Sequence, residues 1–393
     1  MIKVIHFSIT PLAGAPIRLV QALNRLTSIN ARLVDLNRYD LYDHDVVFSE
    51  TPDLAKDLAE ESDIIHLHNY LDCNSTQFHP IDFATLRKKG KRIVRHFHST
   101  PDWIAEVMGI SEDELCACTL PSLVIAQYPE RFFINSRVVP NLIPHSDMLY
   151  LPAYHTGSEN HDGGSNVKMD KVKNITRKEN CDIFFSYTKT VGAFERRWDT
   201  KGAPETIAIL ERVVEKTGCT CTTVTGKPLG DVLKHKQQSN IVVDDLVTGS
   251  YHLTGLEGLS QGKAVLSFLD QRSLQLLRYI SGSDHCPFIN VRLEDAEKVL
   301  TWLLDNPETC RDIGNAGRMW ILDNWNGKKL IQHFTRAYSD LLESSDSDFP
   351  GRQSNLLTQD AVSHFFNKTL HDIVYNSRRE KANSLIFWNS IHG

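Results

Sequence analysis

Short apolar runs alternate with amphipathic stretches along this chain, first over residues 2–144 and again over residues 181–325. "IKVIHFSI" (2–9) reads as a buried strand. It runs into "TPLAGAPIRLVQALNRL", where Gly14 turns the chain and Ile17, Val20 and Leu23 recur at three-to-four spacing. Strand, small-residue loop and helix form the opening unit of a parallel sheet covered by helices. "ARLVDL", "DIIHLHNY", "RIVRHFHS" and "SLVIAQ" repeat the strand signal, and "RVVPNLIP" closes this half near residue 144. A polar stretch, "HTGSENHDGGSNVKMDKVKN" (155–174), has the composition of a linker or long surface loop. The second alternation follows, with strands in "CDIFFSYT", "CTTVTG", "NIVVDDL" and "AVLSF". Its helices are "APETIAILERVVEKTG", stopped by Gly218, "DAEKVLTWLLDN" and "ETCRDIGNAGRMWILDNW". The expected organisation is an α/β domain over 1–150, a linker over 151–178, a second α/β domain over 179–342, and a linker with a helical tail over 343–393 that packs back on the first domain. A chain of 393 residues is long for one core, in keeping with two domains. In open parallel sheets ligands sit beyond the carboxyl ends of the strands, so function is expected in the loops that face a cleft between the halves.

Composition removes several function classes. Lys and Arg number 43 against 49 Asp and Glu, a net charge of −6, so the chain lacks the basic footprint of a nucleic-acid binder. The opening "MIKVIHFSITPLAG" has neither the apolar stretch nor the cleavage site of a signal peptide, and no run of 18 apolar residues could span a membrane. The eight cysteines include two C-x-C pairs, Cys116/Cys118 and Cys219/Cys221, without a second ligand pair at zinc-site spacing. Reduced thiols in a cytoplasmic protein are the expectation. "LRKKGKR" (86–92) reads as an exposed helix end, with contact to anionic lipid or phosphate as the other use of such a run.

The segment "VTGSYHLTGLEGLSQGKAVLSF" (247–268) sets one acid, Glu257, among glycines and apolar residues. Thr254 precedes it by three, the spacing of a capping box. Asp244 and Asp245 are adjacent rather than spaced as a D-x-D, so metal binding by them is not expected. "HLH" (66–68) and "HFH" (96–98) put two histidines each on one face of a strand, and His66, His68, His96 and His98 could ligate zinc in a hydrolase.

The second half resembles glycosyltransferase family 4, retaining enzymes of the GT-B fold that use nucleotide-sugar donors. "SNIVVDDLVTGSYHLTGLEGLSQGKAVLSF", "RRWDTKGAPETI" and "IGNAGRMWILDNWN" carry the likeness, with "RVVPNLIP" and "IVRHFHS" in the first half. The resemblance implies two Rossmann-like parallel-sheet domains facing across a cleft, and hexosyl transfer without a metal or other cofactor. It implies a nucleotide-diphosphate sugar as partner and a glycan or lipid-linked acceptor, in polysaccharide synthesis. The expected place is the cytoplasm, with peripheral membrane contact through the first domain. Among the residues, it implies that Lys201 and Arg196, with Arg197 beside them, meet the leaving diphosphate, and that His98 lies close to the transferred sugar. It implies that Glu257 accepts from the ribose hydroxyls, while Gly249, Ser250, Tyr251, His252, Leu253 and Thr254 form the donor loop and Gly14 shapes the first-domain side. One departure stands out: where many members have an acid eight residues before the Glu, this chain has Gly249. A non-catalytic sugar-nucleotide-binding protein is the alternative that this departure raises.

Overall fold

In the computed structural model, residues 1–153, 181–192 and 198–351 are described. The first sheet is parallel, with strands β1 (Lys3–Ser8), β2 (Asn30–Asp35), β3 (Val46–Val47), β4 (Ile64–His68), β5 (Arg92–Phe97), β6 (Ser122–Ile125) and β7 (Arg137–Val139). Its order is β3-β2-β1-β4-β5-β6-β7. The second, also parallel, comprises β8 (Cys181–Ser186), β9 (Cys221–Val224), β10 (Ser239–Val243), β11 (Ala264–Ser267) and β12 (Ile289–Asn290), in the order β12-β11-β10-β8-β9. Parallel neighbours require crossovers, and helices supply them. In the first half these are α1 (Ala15–Leu26), α2 (Pro52–Glu61), α3 (Phe83–Lys88), α4 (Pro101–Met108) and α5 (Glu112–Cys116). In the second they are α6 (Ala203–Thr217), α7 (Leu229–Gln237), α8 (Leu253–Ser260) and α9 (Gln271–Ser281); α10 (Leu293–Asp305), α11 (Pro307–Asn324) and α12 (Gly327–Glu343) follow the last strand. The central strands are buried along most of their length because both their faces are covered; β10 and β11 are mostly apolar, whereas β4 and β5 bury His66, His68, Arg95 and His96 among their apolar residues.

The halves are two parallel α/β domains, as the alternation predicts. α12 departs from the expected boundaries. Residues 327–342 fall within the expected second domain, yet α12 lies against α1 and β5 of the first sheet. Its stripe of Leu330, Ile331, Phe334, Ala337, Tyr338 and Leu341 is buried. Periodicity shows that a helix has an apolar face and is silent on which sheet that face meets. The chain therefore passes between the domains twice, after β7 and again at Trp325, whose indole N–H donates to the Asn141 carbonyl at 3.1 Å. Of the expected linker over 151–178, residues 154–178 lie outside the described residues, as does the expected helical tail beyond 351.

Candidate active site

A cleft of about 510 Å³ opens between the sheets. The loops after β1, β4, β5 and β6 form one wall and those after β8, β9 and β10 the other, so the carboxyl ends of both sheets converge on it. Five non-glycine residues among those described have left-handed backbone: Leu12, Ala13, Asn69, Asp199 and Lys201. Four of them border the cleft, and Asn69 precedes the bordering Tyr70. Such conformations cost about 1–3 kcal/mol each and cluster where function requires a fixed shape. Asn69 shows how the shape is held, since its Oδ1 accepts from the backbone N–H of His98 at 2.9 Å and of Ser99 at 3.2 Å.

Lys201 ends the loop after β8 and lines the cleft while only 7% exposed. Its Nζ lies 3.2 Å from Asp244 Oδ1, but the angle is not that of a hydrogen bond, and the ammonium has no hydrogen-bond partner. A buried ammonium with unused donors is poised for an anion. The adjacent acids brace the loop. Asp244 Oδ2 accepts from His252 N–H at 2.7 Å, and Asp245 Oδ1 accepts from the N–H groups of Val247 and Thr248 at 2.8 Å each. Burial pushes the Asp245 carboxyl up, and the contacts with His252 and Thr248 outweigh it and hold the group below the usual range. The His252 ring stacks on Trp198 at 4.4 Å, and Trp198 stacks on Tyr128 of the first domain at 5.8 Å.

Glu257 also lines the cleft and is 3% exposed. The capping box does not form. α8 begins at Leu253 with His252 as its N-cap, so Thr254 lies inside the helix and Glu257 in its second turn. Glu257 instead takes Arg18 Nη2 from α1 at 2.5 Å on Oε1, and Lys236 Nζ from α7 on Oε2. Burial alone would raise its pKa, but Lys236 and Arg18 reverse the sign and hold it below the ordinary carboxylate value. Lys236 is held low by burial, with Glu257 pulling upward and Lys201 and Arg18 repelling it. Each oxygen has a second lone pair, so a ribose hydroxyl could still donate to Glu257. Sequence reasoning missed Arg18 and Lys236. Arg18 follows Ile17 on α1, where an arginine on a largely buried helix is the signal that could have marked it.

His98 borders the cleft at the end of β5. Its Nε2 shares a hydrogen bond with His68 Nδ1 at 3.0 Å, and His68 Nε2 shares one with His6 Nδ1 at 3.1 Å. Tyr338 of α12 meets His66 Nδ1 at 2.8 Å and His6 Nε2 at 3.5 Å. Burial lowers the pKa of His98 and of His6 to about 3, so both rings are neutral. The four histidines considered as zinc ligands do gather, together with His6, and their ring nitrogens lie close enough to hold an ion. Much of their bonding capacity is spent within the cluster and on Tyr338, and His98 is the member that borders the cleft. No acid is among the grouped ligands. A hydrolase built on these four is not supported by this arrangement.

The other expected residues divide. His252, Leu253 and Thr254 border the cleft; Gly249, Ser250, Tyr251 and Gly14 do not. Ser250 Oγ accepts from Tyr128 N–H at 3.1 Å, the Tyr251 hydroxyl donates to the Ala126 carbonyl at 2.8 Å, and Gln127 Nε2 donates to the Tyr251 carbonyl at 2.8 Å. This half of the loop joins the domains instead of facing the cavity. Two buried ion pairs stand beside it, Arg131–Asp270 at 2.9 Å and Arg272–Glu130 at 2.5 Å. Gly14 makes the turn behind the strained Leu12–Ala13 pair, with φ of 79°. Arg196 and Arg197 lie outside the described residues. "LRKKGKR" lies at the end of α3, and its Arg87 and Arg92 pair with Asp346 beyond α12, at 2.5 and 3.3 Å.

No protein-family model matches the chain, and no curated protein does. Among solved structures it is similar to a sucrose-phosphate synthase from Thermosynechococcus elongatus, at 12% identity over 88% of this chain and 100% of that one, with a TM-score of 0.52. A glycosyltransferase from Rickettsia africae matches at 11% identity over 88% and 99%, with a TM-score of 0.52. HepE from Anabaena, solved with UDP and glucose, matches at 10% identity over 86% and 100%, with a TM-score of 0.51. At these identities the likeness is one of fold. The two facing parallel-sheet domains are the GT-B architecture.

Proposed function

We propose that this chain is a glycosyltransferase that moves a hexosyl group from a nucleoside diphosphate donor to an acceptor hydroxyl. The observation that carries the reading is Lys201, a buried ammonium with unused donors at the mouth of the second sheet. Breaking the bond from the anomeric carbon to a diphosphate leaves negative charge on phosphate, and a cation already in place stabilises that charge without reorganisation. The first turn of α8 adds backbone N–H groups beside it. Positive charge then comes from the protein, without a metal. Glu257, fixed by Arg18 and Lys236, accepts from the ribose, and neutral His98 hydrogen-bonds the transferred sugar. The first domain takes the acceptor and the second the donor. In this reading the configuration is retained, with the leaving phosphate helping to deprotonate the acceptor on the same face. A glycan or lipid-linked acceptor in polysaccharide synthesis fits the resemblance, as does a cytoplasmic site of action with peripheral membrane contact.

A thermal-shift panel of UDP-, GDP- and ADP-sugars, followed by turnover assays, tests the proposal, because a ligand of the folded state raises the melting point. UDP-sugars come first, since HepE was solved with UDP and glucose. The expected outcome is a shift for one base and a fall in turnover of at least 10²-fold in Lys201→Ala, as for loss of one charge-stabilising donor. Binding without turnover would leave a sugar-nucleotide-binding protein. No binding to any of them, or full activity in Lys201→Ala, would overturn the reading.

A further inference from the structure

Trp198 is buried, yet it belongs to the core of neither domain. With Ile125 and Tyr128 of the first domain it forms a small separate cluster, against which Phe132 packs. It also borders the cleft. Its indole lies nearly parallel to two rings, at 17° to His252 and 10° to Tyr128. Both of those rings are themselves fixed. His252 Nε2 meets Asp245 Oδ2 at 2.9 Å. The Arg131 guanidinium lies 4.1 Å from the centre of the Tyr128 ring while it pairs with Asp270 of the second domain. Stacked rings combine large buried area with a defined geometry, so this row fixes an orientation as well as a contact.

The segment that Trp198 opens is the strained one. Asp199 and Lys201 have φ of 65° and 54°, and Gly202 follows at 50°. Non-glycine residues stay in this region only where the surroundings over-determine them. Downstream, α6 supplies the constraint: Thr206 Oγ1 donates to the Lys201 carbonyl and Ala203 N–H to the Thr200 carbonyl, both at 3.1 Å. Upstream, Asp199 meets Lys189 at 3.1 Å, a partly exposed pair of the kind that contributes little. The ring stack of Trp198 is the buried anchor on that side.

We propose that Trp198 is a positioning residue for Lys201, and that Tyr128 makes its action depend on the first domain. Stacked between fixed partners, the indole holds the loop in the conformation that sets the Lys201 ammonium at the cleft. Parting of the domains would take Tyr128 away and leave the strained segment with one support fewer. The cation is then in place for a diphosphate while the domains are together, which couples their closure to the site. The proposal rests on the reading of Lys201 as the diphosphate cation.

Inorganic pyrophosphate, titrated calorimetrically into the full chain at fixed ionic strength, is the probe. Lys201→Ala is expected to weaken its binding about tenfold or more, and Trp198→Leu to weaken it by a similar factor. The double variant should bind no more weakly than Lys201→Ala, because a residue that acts through Lys201 has nothing left to lose once the ammonium is gone. Trp198→Phe keeps an aromatic face and should stay within about threefold of the parent. Tyr128→Leu, which leaves the backbone bond to Ser250 intact, should weaken binding from the other domain, and again only while Lys201 is present. These last two variants decide the matter where Trp198→Leu fails to fold. Parent-like binding in Trp198→Leu or Tyr128→Leu overturns the proposal, because the loop then holds itself. Losses that multiply in the double variant also overturn it, because Trp198 then meets the ligand directly. A parent chain that ignores pyrophosphate, or a Lys201→Ala chain that binds it unchanged, removes the reading of Lys201 itself and the proposal with it.

Discussion

At the scale of the residue, Gly249 decides what can occupy the donor loop. Its φ is 88°, and a Cβ added there would come within 3.1 Å of Asp270 Oδ2 and 3.2 Å of Asp270 Cβ. Asp270 cannot easily move, because its Oδ1 caps α9 through Ser273 N–H at 2.9 Å and its Oδ2 holds Arg131 at 2.9 Å. An acid at 249 would meet a strained backbone and a carboxylate already in place. Gly249→Asp is therefore expected to destabilise by about 2–3 kcal/mol and to leave turnover no higher. A urea midpoint equal to the parent's, together with faster turnover, would show that the glycine answers no structural need. The same residues show what a sequence can yield. Lys201, Glu257 and His98 were reached through the motifs that carry the family resemblance, and all three border the cleft. Arg18 and Lys236 were not, since their partner Glu257 lies 239 and 21 residues away and no local pattern encodes that pairing. The capping-box spacing of Thr254 and Glu257 was misleading because α8 starts earlier, at Leu253.

At the scale of the element, most strands and helices follow their apolar periodicity, and the exceptions have physical reasons. β3 and β12 are two residues long and lie at sheet edges, too short to show alternation. α12 has a clear apolar stripe, but the sheet it covers is a tertiary matter. The packing of α11 rests on one position. A Cβ at Gly314 would clash with the Gly262 carbonyl oxygen, a backbone atom that cannot rotate away. Gly314→Ala must push α11 from the turn before β11, although alanine favours helix by about 1 kcal/mol over glycine. Overpacking of this kind costs about 1–3 kcal/mol and wins. The expected net loss is up to about 2 kcal/mol, read as a lower urea midpoint with unchanged slope. A rise in stability would mean that α11 has room to move.

At the scale of the whole molecule, five buried histidines govern the response to acid. His6, His66, His68, His96 and His98 lie beneath α12, within reach of Tyr338 and Phe334. Burial lowers His6 and His98 to about 3 and drives His66, His68 and His96 well below the ordinary histidine value, with mutual repulsion adding to the last three. Unfolded, each takes a proton near pH 6.5. Between those limits the unfolded chain binds more protons than the fold, so stability rises with pH. The contribution is complete above about pH 6.5 and drains away as pH falls toward 3, at up to about 1.4 kcal/mol per pH unit for each histidine. Five together exhaust a total of about 5–15 kcal/mol within one to three units. His96 isolates one share of this slope, because both its ring nitrogens are buried without a hydrogen-bond partner. His96→Phe replaces an unsatisfied polar ring with an apolar one and removes one titrating group. Urea unfolding should find it no less stable than the parent at pH 7. Its advantage should then grow by about 1.4 kcal/mol for each unit the pH is lowered below 6. An advantage that stays constant with pH would mean that His96 is already protonated in the fold, a charge that this apolar, acid-free cluster has no means to hold.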